Sequence, residues 1–155
     1  MKKVTLKTEK ILVAYKILSA AKYAKMEDAD KLKVFKIVRA MKPIATQFDD
    51  DHEQLAKMMK PEDFDEKVMK WNETRERLSM GLKDNLPMDA DEYISFTYAI
   101  INPYNESVSD KTKEFAEKEI EMEFDPISES AFNKLMNSND WNFAQTVELA
   151  DIISE

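Results

Sequence analysis

Val34, Val38, Met41, Ala45, Phe48, His52, Leu55 and Met59 recur along the chain in steps of four and three. That alternation is the spacing of one face of a helix packed lengthwise on another helix. A strand would need a period of two, so this stretch predicts a long helix. It opens at Asp28 or Asp30, where acids complement the positive helix start. Pro43 lies inside the run, where it removes a backbone donor and crowds the preceding turn. The period stays in phase across it, which predicts a kink and not a break.

KPED at 60–63 restarts the chain, with Pro61 suited to a first helical position and Glu62 and Asp63 to a first turn. A third helix follows with the face Phe64, Val68, Trp71, Arg75, Leu78, Leu82, again stepping four and three. Two such helices joined by a short turn predict an antiparallel hairpin. Upstream, Val4 and Leu6 alternate with Lys3, Thr5 and Lys7, a short strand. Thr8 is placed to cap a first helix ending near Lys25, with Ile11, Ala14, Tyr15, Leu18 and Ala21 as its buried stripe. Downstream, KDNLPMDAD reads as a loop. EYISFTYAII fits helix or strand, and Asp91 and Glu92 favour helix. NPYNES reads as a loop, and SDKTKEFAEK as a short helix capped by Ser109 or Asp110.

EIEMEF at 119–124 is the clearest strand, with Ile120, Met122 and Phe124 on one face and three glutamates on the other. Paired with the first strand, it sets Lys3 and Lys7 across from glutamates, at about 0.2–1 kcal/mol per pair. Ser128 caps a short helix, and Trp141, Ala144, Val147 or Glu148, and Ile152 mark the last one. The expected fold is α+β, mainly α. A central antiparallel helical hairpin packs with a small sheet of two or three strands, in one domain over residues 1–155.

Composition removes several chemistries. One glycine, Gly81, leaves no phosphate-cradling loop and no dinucleotide fingerprint. The absence of cysteine excludes disulfides, thiolate zinc sites and cysteine nucleophiles. A net charge of −8 argues against nucleic-acid binding. No run approaches membrane-spanning length and no signal peptide is legible, so a cytoplasmic protein is expected.

His52, the only histidine, sits in QFDDDHEQ. The helical frame puts it on the apolar seam, with Asp49 and Glu53 on flanking faces and Asp50 and Asp51 turned away. Asp49, His52 and Glu53 are the weak candidates for a metal. A carboxylate-bridged di-metal bundle needs a second histidine, which the chain lacks. His52 therefore reads as a structural seam residue. Arg75 is the other polar residue on a seam, and the hairpin puts it level with Thr46 to Asp49. An Arg75–Asp49 pair fixing register is the expectation. No cofactor is implied.

A serine triad would have to use His52, and no nucleophile elbow is present. Carboxylate pairs such as Glu73 with Glu76, Asp89 with Glu92, and Glu114 with Glu117 would suit a metal-dependent nucleotide pyrophosphohydrolase. In so acidic a chain such pairs are the ordinary outcome of a solvated helix face.

The stretch from Ile11 to Phe48 carries a turn Lys25-Met26-Glu27-Asp28 and, in the matching pattern, a helix end Met41-Lys42-Pro43-Ile44-Ala45. It resembles small, functionally uncharacterised helical proteins encoded by tailed phages and prophages, over the N-terminal third to half of the chain. The resemblance implies a phage context: a virion component, an assembly factor or an accessory protein. The expected function is a non-enzymatic interaction protein, a phage structural or assembly component that self-associates or binds other phage proteins. The alternatives are an acidic nucleic-acid mimic that inhibits a host nuclease, and the pyrophosphohydrolase.

Overall fold

The computed structural model describes residues 1–155. The fold is mainly helical with one two-stranded antiparallel sheet. It divides into two compact units, Met1–Asp50 with Glu114–Glu155, and Asp51–Lys113.

In the first unit, β1 (Lys2–Lys7) pairs with β2 (Glu119–Phe124). Lys3 stands opposite Glu123 and Lys7 opposite Glu119, as the alternating charges predict. Val4 meets Met122 and Leu6 meets Ile120 on the other face. Helix α1 is Thr8–Ser19, shorter than expected, and Thr8 is not its cap. The Thr8 amide and hydroxyl both donate to the Lys118 carbonyl, at 2.8 Å each. The residue thus ties the end of β1 to the start of β2.

Helix α2 runs from Asp28 to Met58 without a break at Pro43. Its buried face is Val34, Ile37, Met41 and Ala45. Ile37 takes the place that heptad counting gives to Val38, because a helix of 3.6 residues per turn steps by four-four as well as four-three. Helix α5 covers Asn102–Glu117. Beyond β2, α6 (Glu129–Asn137) starts at Ser128, whose side chain accepts from the Ala131 amide. Helix α7 (Phe143–Ile153) opens with a capping box between Asn142 and Gln145. Its buried residues are Leu149, Ile152 and Ile153, while Ala144 and Val147 are exposed, contrary to the sequence frame. The core gathers Ile11, Leu18, Ile37, Met41, Ile127, Leu135 and Ile153, all at most 1% exposed.

In the second unit, residues 59–63 turn the chain from α2 into α3 (Phe64–Ser79). Asp63 supplies a left-handed φ of 57° there, a role open to aspartate in a chain with one glycine. Helix α4 (Ala90–Phe96), capped by Asp89, passes directly into a π-helical turn, Thr97–Ile101, and then into α5. The helical reading of 93–101 is therefore right, and the loop assigned to NPYNES is corrected to helix. Pro103 explains the π turn. A proline ring clashes with the carbonyl four residues back, and widening the preceding turn relieves that clash. The Asn102 amide accordingly bonds the Thr97 carbonyl, five residues back.

Candidate interaction surface

The polar residues singled out in the sequence do not assemble a reactive site. His52 is exposed on α2, and its Nδ1 shares a 2.8 Å hydrogen bond with the Thr112 hydroxyl of α5. That exposure corrects its expected place on an apolar seam, since its partner is a polar side chain at the surface. Glu53 is exposed and pairs with Lys57 at 3.2 Å. Asp49 is exposed and belongs to the first unit, and Arg75 to the second. No group of three or more His, Asp or Glu side chains is placed to hold a metal ion.

Arg75 is also exposed, which corrects its place on a buried seam. Its guanidinium lies 5.0 Å from the centroid of the Trp71 ring, a cation–π contact. The buried polar residue of α3 is its neighbour Thr74, with no exposed surface. The Thr74 hydroxyl donates to the Lys70 carbonyl at 2.8 Å and accepts from the Met88 amide at 3.1 Å. That bond holds the loop before α4 onto α3, with the Met88 side chain in a cluster with Phe96 and Ile101. Trp71 donates to the Thr97 hydroxyl at 2.7 Å, which in turn donates to the Tyr93 carbonyl at 2.8 Å. No sequence signal singles out Thr74, because a threonine in a helix normally bonds its own backbone.

An open cavity lies in the first unit. It has a volume of about 340 Å³ and is walled by Leu18, Ser19 and Tyr23 on one side and Lys31, Val34, Phe35 and Val38 on the other. Its walls follow from local structure. Helix α1 stops at Ser19, and the chain loops back before α2 begins. Asn139 holds that loop from both sides, accepting from the Lys22 amide at 2.8 Å and donating to the Lys22 carbonyl at 3.0 Å. Met26 is buried beneath it. The Tyr23 hydroxyl donates to the Leu18 carbonyl, which fixes the ring as a wall.

Burial raises the Tyr23 phenol to about 12, since burial penalises its charged form. A folded pKa above the unfolded value of about 10 means that the unfolded chain releases its proton first. This group therefore weakens the fold as pH rises from about 10 towards 12. Ultraviolet titration should show a tyrosine ionising near 12 that is absent in Tyr23→Phe; loss of a component ionising near 10 in its place would contradict the burial of this ring.

Phe35 lines the cavity at 58% exposure, and Leu32, one turn earlier on α2, is 52% exposed. Around them, Lys36, Arg39 and Lys42 are exposed and make no ion pair, and Lys31 reaches Asp28 only at 3.7 Å. This neighbourhood is the basic part of an acidic protein. Residues 1–42 hold twelve Lys and Arg against four Asp and Glu, and the remaining residues hold eleven against twenty-seven. Phe143 and Val147 are exposed on α7, but the seam between α1 and α7 has no room for a water molecule. A smaller open cavity of about 190 Å³ adjoins the π turn, lined by Ala99, Ile100, Pro103 and Tyr104 among others.

No helix is long and apolar enough to cross a membrane. The chain matches no protein-family model, no curated protein sequence and no solved structure.

Proposed function

We propose that the protein is a non-enzymatic interaction protein that self-associates, serving phage structure or assembly. The observation that supports this is the apolar groove between α1 and α2, with Phe35 exposed in its wall and Leu32 exposed one turn earlier on α2. Single exposed apolar residues are ordinary, but two large ones beside an apolar cavity form the centre and pocket of a protein interface. The phage setting rests on the resemblance of residues 11–48. Light scattering across a concentration series tests the reading. The wild-type chain is expected to gain mass with concentration. Phe35→Asp should weaken association at least tenfold, equivalent to about 1.4 kcal/mol. Its melting should stay unchanged at concentrations where both chains are monomeric, because Phe35 is already largely exposed. A wild-type chain that stays a monomer throughout, or a variant that associates equally well, would refute the proposal.

A further inference from the structure

We infer that the occupant of the α1–α2 groove is the outer face of α3 from a second copy, so that copies join head to tail. The inference rests on the self-association proposed above and names the surface that meets the groove. Charge excludes the simplest alternative. If two grooves faced each other about a two-fold axis, Lys31, Lys36, Arg39 and Lys42 would meet their own counterparts, and like charges brought together at an interface repel. The complementary surface is anionic and carries apolar side chains that fit a pocket.

The outer face of α3 meets both conditions. Met69 is 73% exposed, and Met80, which closes the helix, is 69% exposed. At 100° per residue they share one face with Glu66, Glu73 and Glu76, opposite the half-buried Phe64, Trp71 and Leu78. Glu66 and Glu76 make no ion pair, and Glu73 reaches only Arg77 of its own helix, at 3.1 Å. Methionine is unbranched and adapts to an irregular cavity, which suits it to enter a groove walled by Leu18, Val34 and Val38. In a head-to-tail contact each copy offers its groove to one neighbour and its α3 face to another.

A mixing experiment decides it. One variant, Phe35→Asp, spoils the groove and keeps the α3 face. The other, Glu66→Lys with Met69→Lys, spoils the α3 face and keeps the groove. All three positions are exposed, and circular dichroism checks that both variants fold. Each variant alone should associate at least tenfold more weakly than wild type. An equimolar mixture should recover a species of two-chain mass, because one good groove then meets one good α3 face, and it should grow no further. If wild type associates but the mixture recovers nothing, or the α3 variant associates like wild type, the head-to-tail contact is wrong while self-association stands. If wild type itself is monomeric, both fall.

Discussion

Leu135→Ala is expected to destabilise the fold by about 2–5 kcal/mol. Leu135 lies on α6 with no exposed surface, in the cluster that holds Ile37, Met41, Ile127 and Ile153. Truncation there removes buried methyl groups and leaves a cavity that close-packed neighbours only partly fill. Leu32→Ala is the control. It has the same chemistry at a site 52% exposed, and should change stability by less than about 0.5 kcal/mol. Urea unfolding followed by circular dichroism reads both. Equal midpoints for the two variants would show that α6 does not seal this core.

The second large effect is expected at Thr74. Valine has nearly the same shape as threonine but offers no oxygen to the Met88 amide, a donor in a buried hydrogen bond. An unsatisfied buried donor costs about 1–3 kcal/mol. Thr74→Ser keeps the oxygen and loses one methyl group, worth about 0.8 kcal/mol. The order wild type, Ser, Val is therefore expected in thermal melting, and hydrogen exchange at the Met88 amide should speed up in the Val variant. A Val variant as stable as wild type would mean that the loop before α4 is held by apolar packing alone.

These two sites differ in how far the sequence reveals them. Leu135 follows the Ser128 cap at helical spacing, and the strands at 2–7 and 119–124 declare their pairing through opposite charges on their outer faces. Helix α2 is legible because its pattern stays in phase through Pro43. Thr74 is hidden, since its burial depends on a loop that begins several residues later. Counting by heptads gave Arg75 the place that Thr74 holds, and Val38 the place of Ile37. The frame is right to within one residue, but one residue turns a helix face by about 100°. Asn102–Pro103 read as a break because the sequence cannot show that the π turn absorbs the proline. The two units are not visible as a composition shift, because the divisions at 50–51 and 113–114 fall within α2 and α5. The groove escaped the reading as well. Its walls come from residues 18 to 38, and an Asn139 far along the chain holds its loop.

The α1–α2 groove as the seat of self-association is the claim on which the functional account stands. A photo-crosslinking side chain placed at Phe35 tests it most directly, with the adducts mapped by mass spectrometry between copies carrying different isotopes. The account predicts inter-copy adducts at residues 66–80 of a second chain, around Met69. No inter-copy adducts at concentrations where the chain associates would contradict it, whereas adducts confined to residues 28–42 would keep the groove as the seat and overturn only its contact with α3.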